Sequence, residues 1–212
     1  MQISYFGLTS FKISGKNHSS IIDPFSKDSG LTPPRGAADV IILSEPENEL
    51  YSYSQSISGT PFTVDGPGEY DVKEHVITGI PLKDKKTGKL ITIYLIEVDG
   101  IKILDLAHIN KLELTEDELE DLGDVDILIV PVGGESVMDF EDAAKTVNLI
   151  EPRIVIPSHY KMAGLKTDAQ TEDKFIKQMG GKSEKMEKLS LKKKDLPAED
   201  QPTKVIVLEP LR

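Results

Sequence analysis

Cysteine is absent from all 212 residues, which excludes disulfides, thiolate zinc sites and thiol nucleophiles and leaves the redox compartment open. Histidine is scarce, with four residues in the whole chain, so any chemistry built on imidazole has very few groups to draw on. Apolar runs are short: none nears the roughly 18 residues of a membrane span. Met1 leads straight into a strand pattern, without the basic and apolar stretches of a cleaved signal. A cytoplasmic, membrane-free protein is the expectation. Basic residues are outnumbered, 25 against 36 acidic, for a formal charge of -11, and that balance argues against nucleic acid or an anionic membrane as partner.

What is present reads as a single domain over 1–212, long enough to bury one substantial core. Three short strands are predicted at 2–6, 10–14 and 19–23, with His18 beside a solvated turn. A Pro/Gly-rich loop over 26–36 leads to a fourth, buried strand at 38–43. Short strands fill 61–80, the charged stretch 83–89 is a hairpin tip, and Asp99-Gly100 joins strands 90–98 and 101–104 as a tight hairpin. The pattern then changes. Thr115-Glu116-Asp117-Glu118 is a capping box, and Leu114 with Leu119 forms a hydrophobic staple, opening a helix over 116–122. A buried strand at 126–130 precedes a helix with Phe140, Ala143, Ala144, Val147 and Ile150 at helical spacing. Pro152 stops it before a strand at 153–156. A third helix spans 167–179, ended by Gly180-Gly181. Residues 182–212 form a lysine-rich hairpin or loop followed by a last strand at 204–208, and the lysines read as a solvated face.

Six segments carry a resemblance: Ile3-Ser-Tyr-Phe-Gly-Leu-Thr-Ser-Phe11, Ile22-Asp-Pro-Phe25, Ala38-Asp-Val-Ile-Ile-Leu-Ser44, Gly66-Pro-Gly-Glu-Tyr70, Val125-Asp-Ile-Leu-Ile-Val-Pro-Val-Gly-Gly134 and Ile154-Val-Ile-Pro-Ser-His-Tyr160. In this order, over most of residues 1–160, they resemble the metallo-β-lactamase family, in particular its small metal-dependent hydrolase branch related to the L-ascorbate-6-phosphate lactonases. The resemblance implies an α+β fold, a four-layer αββα sandwich, with a metal site where strand ends meet at one edge of the two sheets. It also implies a Thr-His-x-His-x-Asp-His segment after the fourth strand. Here that stretch is Ser44-Glu45-Pro46-Glu47-Asn48-Glu49-Leu50, so Glu45 and Glu47 fall on the first two histidines, Glu49 on the aspartate and Leu50 on the last histidine. Where the family has a histidine three residues before a bridging aspartate, Asp105-Leu106-Ala107-His108 has the two residue types exchanged. The final histidine falls on His159, Asp23 keeps a structural place near the site, and Glu69 lies in the retained Pro-Gly-Glu-Tyr turn.

In such a site zinc lowers the pKa of bound water and steadies the transition state. Imidazole suits zinc, whereas all-oxygen shells suit magnesium or manganese. The candidate metal residues are Glu45, Glu47, Glu49, Asp105, His108 and His159. Converging carboxylates repel one another without a cation, each glutamate is a methylene longer than aspartate, and Pro46 stiffens the loop. The leading expectation is therefore a catalytically degenerate protein with no catalytic residue and no cofactor, serving as a non-enzymatic binding or self-association module toward a protein partner. The alternative is a metal-dependent hydrolase of a small phosphorylated or lactone-like substrate, with Mn, Mg or Zn held weakly at the oxygen-rich remnant. His159 is expected beside Asp105, and a triad of Ser44, His159 and Asp105 is the metal-free variant.

Overall fold

A computed structural model describes residues 1–84 and 87–211. The first half is built of strands: β1 (Gln2–Gly7), β2 (Ser10–Ser14), β3 (Ser19–Ile22), β4 (Gly36–Ala37), β5 (Val40–Ile42), β6 (Ile57–Ser58), β7 (Phe62–Val64), β8 (Gly68–Val72), β9 (His75–Lys83), β10 (Leu90–Val98) and β11 (Ile101–Asp105). Helix and strand then alternate through α1 (Glu116–Leu122), β12 (Ile127–Pro131), α2 (Phe140–Ile150), β13 (Ile154–Ser158) and α3 (Asp173–Gln178). Three strands close the chain: β14 (Glu184–Met186), β15 (Lys188–Ser190) and β16 (Lys204–Leu208).

Among the described residues two large sheets carry the fold, in the orders β15-β1-β2-β3-β5-β7 and β14-β16-β13-β12-β11-β10-β9-β8. One apolar cluster joins them, drawing Ile3, Phe11, Ile22 and Ile42 from the first and Ile93, Ile103, Leu128 and Ile156 from the second. Each such side chain contributes about 1.5–3 kcal/mol by leaving water. With helices flanking the mixed sheets, the architecture is the α+β, αββα sandwich of the metallo-β-lactamase type. Local signals match their elements. Asp99 and Gly100, at φ 53° and 75°, turn β10 into β11 with Val98 opposite Ile101, as a two-residue hairpin requires. Thr115 and Glu118 form both bonds of the capping box at α1, and Asp139 caps α2 by accepting from Glu141 and Asp142 backbone N–H groups.

Strand direction positions the site. β11, β12, β13 and β16 run parallel, so the residues after Asp105, Pro131 and Ser158 emerge at one edge. In the other sheet β3, β5 and β7 are parallel, which delivers Asp23 and Ser44 from the ends of neighbouring strands. Backbones crowd there: a Cβ on Gly133 would stand 2.0 Å from the His159 carbonyl oxygen.

Three expectations change. The third helix starts at Asp173 rather than 167, because the preceding segment is pinned as a loop. Gln170 N–H donates to Gly133 at 2.8 Å, and the Gln170 carbonyl accepts from Lys161 at 2.9 Å. The lysine-rich stretch is not a hairpin closed on itself. β14 pairs with β16 in one sheet and β15 with β1 in the other. The fourth strand is confined to Val40–Ile42. Lys85 and Lys86 of the expected hairpin tip lie outside the described residues.

Substituting Gly133→Ala should cost at least the 1–3 kcal/mol of an overpacked position, since the obstructing atom is backbone. A urea midpoint equal to that of the parent protein would contradict this close approach.

Candidate functional site

The site grows from the Asp23–Ser44 pair. Asp23, at φ 41° and fully buried, accepts the Ser44 backbone N–H at 2.8 Å on Oδ1 and the Ser44 hydroxyl at 2.6 Å on Oδ2. Burial pushes its carboxyl above the ordinary value, opposed by His108 and the Ser44 hydrogen bonds. The pair ties the end of β3 to the end of β5.

Glu45 points inward and is saturated with partners. His108 Nε2 stands 3.1 Å from Oε2, Asn48 donates to the same oxygen at 2.6 Å, and Lys89 donates to Oε1 at 2.7 Å. The His108 bond first, then Lys89 and Asn48, hold this carboxylate at about 2 despite partial burial. Through Nδ1, His108 also lies 3.4 Å from the Ser44 hydroxyl, so the imidazole spans the two acidic groups.

Tyr51 completes the arrangement. Its ring stacks on His108, with centroids 4.2 Å apart and planes 14° from parallel, and its hydroxyl meets His159 Nε2 at 2.8 Å. Burial raises the phenol far above its ordinary value and, with His108 nearby, lowers His159 to about 4. At neutral pH the tyrosine is therefore protonated and the histidine neutral, so the hydrogen bond between them joins two uncharged groups. The His159 backbone N–H donates to Leu8 at 2.8 Å and to the Tyr5 hydroxyl oxygen at 3.1 Å. Asp105 is fully buried. Its carboxyl has one described bond, a long 3.4 Å contact from the Ala107 N–H, and burial, then the Asp23 charge, raises it well above the ordinary value. Asp105 Oδ2 and His159 Nδ1 are buried atoms with no hydrogen-bond partner among the described residues.

Of the six candidate metal residues, the structure brings Glu45 and His108 into direct contact and buries His159 and Asp105 nearby in the same edge. Glu47 and Glu49 are exposed. Leu50 packs against an apolar cluster of Leu8, Phe25, Tyr51 and Leu165. His159 takes Tyr51 rather than Asp105 as partner, which corrects the expected pair. The triad expectation is corrected too: the Ser44 proton goes to Asp23, and the imidazole near Ser44 is that of His108. Sequence reasoning missed Tyr51 and Lys89. Tyr51 directly follows the position of the last family ligand, the one signal that pointed to it; Lys89 was absorbed into a solvated tip. The remaining histidines are engaged elsewhere, His18 at 3.5 Å from Asp39 and His75 against the Lys73 carbonyl at 2.7 Å.

The residues do not fit the metals that the fold family implies. Among the described residues no group of three or more His, Cys, Asp or Glu side chains is placed to hold one cation, and His159 Nε2 already faces the Tyr51 hydroxyl at 2.8 Å. The cluster stores hydrogen bonds and compensated charge, with Ser44 buried and its proton spent on a carboxylate.

Residues 2–159 match the beta-lactamase superfamily domain. The chain belongs to that superfamily. A metal-dependent hydrolase from Thermococcus onnurineus is 36% identical over 94 residues, and the match spans 43% of this chain and 40% of that protein's length. A metal-dependent hydrolase from Lysinibacillus sphaericus is 27% identical over 194 residues, 76% of this chain and 85% of the relative. Among solved structures, a Thermotoga maritima protein described as a Zn-dependent hydrolase of the metallo-β-lactamase superfamily superposes with a TM-score of 0.80 at 27% identity, covering 98% of this chain and 97% of that one. Igni18, a metallo hydrolase from Ignicoccus hospitalis, shares the fold with a TM-score of 0.65 at 16% identity, covering 100% of this chain and 96% of its own.

Two pH effects follow. Because the folded state holds His159 near 4, its contribution to stability is complete above the ordinary histidine range and is lost as pH falls toward 4, by up to about 3 kcal/mol. Urea midpoints of the parent should therefore drop more steeply on acidification than those of His159→Gln. Asp105 has the opposite sign: its raised value favours the folded state at low pH and penalises it as pH rises. Asp105→Asn should be more stable than the parent near neutrality, with the gain vanishing below the ordinary aspartate range.

Proposed function

We propose that this chain is a catalytically degenerate member of the superfamily that works as a non-enzymatic binding or self-association module. The observation that carries the reading is the saturation of Glu45 by His108, Asn48 and Lys89 at 3.1, 2.6 and 2.7 Å. A carboxylate so paired keeps its charge but turns its oxygens to three protein partners rather than to a cation, and its two neighbours in the metal segment face solvent. The scaffold around the site stays intact, which suits a protein kept for its surface. Within the superfamily, we infer a place in the small metal-dependent hydrolase branch that resembles the L-ascorbate-6-phosphate lactonase group.

The other reading is a metal-dependent hydrolase of a small phosphorylated or lactone-like substrate, with manganese, magnesium or zinc at a rearranged site. It is favoured by the unpartnered Asp105 Oδ2 and His159 Nδ1 atoms and by the relatives' description as metal-dependent hydrolases.

Elemental analysis after purification without added metal distinguishes the two, and the first expects well below one zinc per chain. Lactonase and phosphodiesterase turnover should stay at background with added zinc or manganese. A tightly held metal, together with activity abolished in parallel by Asp105→Asn, His108→Ala and His159→Ala, would overturn the non-enzymatic reading. The glutamates give a finer comparison. Glu47→Gln and Glu49→Gln should each change stability by less than about 0.5 kcal/mol, as exposed sites do. Glu45→Gln should be destabilising because it removes the partner of His108 and Lys89.

A further inference from the structure

Tyr51 touches both buried histidines of the site edge. Its backbone is fixed in advance: Tyr51 N–H donates to Asn48 at 2.9 Å, Ser26 N–H donates to the Leu50 carbonyl at 3.0 Å, and Tyr53 N–H donates to the Pro24 carbonyl at 2.7 Å. From that anchored loop the ring lies flat on His108, which follows β11. The hydroxyl reaches His159, which follows β13. One flank of the ring packs with Leu8, after β1, and Phe25, after β3. The side chain is 6% exposed.

We propose that Tyr51 is a cross-link standing in place of metal at this edge. A metal joins imidazoles from separate loops by accepting their lone pairs. Here a phenol joins two imidazoles from separate loops by stacking on one and hydrogen-bonding the other. The bond to His159 is between neutral groups, so it carries no requirement for a cation and needs no anionic ligand to balance one. The Nε2 atom that would face zinc is met by the tyrosine hydroxyl, and the ring fills the ground between the two histidines. The proposal rests on the metal-free reading of the site and adds to it the group that holds the edge together.

The test compares Tyr51→Phe and Tyr51→Ala with the parent protein by urea denaturation and by side-chain 15N NMR of the histidines. Tyr51→Phe keeps the stack and deletes the hydroxyl. It should lower the folding equilibrium constant on the order of tenfold, as expected when a buried hydrogen-bonding group is orphaned, and should move the His159 Nε2 signal while leaving those of His108 in place. Tyr51→Ala should lose more, and phenol at millimolar concentration should restore part of that loss where toluene restores less. An unchanged midpoint and an unchanged His159 signal in Tyr51→Phe would refute the cross-link while leaving the non-enzymatic reading untouched. A parent midpoint that falls after dialysis against a chelator would refute the metal-free reading and the cross-link with it.

Discussion

Charge cannot be left uncompensated beneath a protein surface, and the edge where the strands end in this fold concentrates ionisable groups there. Asp23, Asp105 and His159 are each at or below 1% exposed. An isolated ion in such a place costs several kcal/mol or gives up its charge. Three solutions coexist within a few residues. Asp23 is bonded twice to Ser44, Glu45 is matched by His108 and Lys89, and Asp105 and His159 are shifted toward their neutral forms. The loop 44–51, the stack of Tyr51 and the ion pair from the exposed Lys89 to Glu45 all follow from that requirement.

Much of the fold was legible in sequence because the relevant signals are local. The Asp99-Gly100 turn, the Thr115–Glu118 capping box and the helical spacing of Phe140 to Ile150 each involve residues within a few positions of one another, and each became the element it announced. The β5 core was also legible, since Val40, Ile41 and Ile42 are apolar without alternation. The start of α3 was not. Nothing in 167–172 reveals that Gln170 will be hydrogen-bonded to Gly133, a contact fixed only when β12 and β13 are neighbours. The three-residue strands β14 and β15 were equally hidden, because so short a run has no period to read.

The site divides along the same line. Which ligand types were missing could be read directly, with Leu50 the least ambiguous. What replaced them could not, because the replacement is a tertiary arrangement. Glu45 and Glu47 are two residues apart and chemically identical, yet one is buried against His108 and the other faces water. Pro46 and the bond from Asn48 N–H to the Glu45 carbonyl turn the chain between them. Tyr51 lies 57 positions from His108 and 108 from His159, the latter separation recorded in their hydrogen bond, and no local pattern spans such distances.

The passage from β14 to β15 has a mechanical consequence. Glu187 is the one residue between a strand hydrogen-bonded into the second sheet and a strand hydrogen-bonded into the first. A single residue reaches about 3.5 Å, so the sheets cannot shear past one another by more than that without tearing an edge strand from its ladder. The seam at residues 184–190 acts as a hem sewn through both layers. The opposite rim of the sandwich, where β7 and β8 end the two sheets, is joined through the longer stretch 65–67 and is held by side chains instead, with the Tyr70 hydroxyl donating to the Gly66 carbonyl and that of Tyr94 to the Leu43 carbonyl.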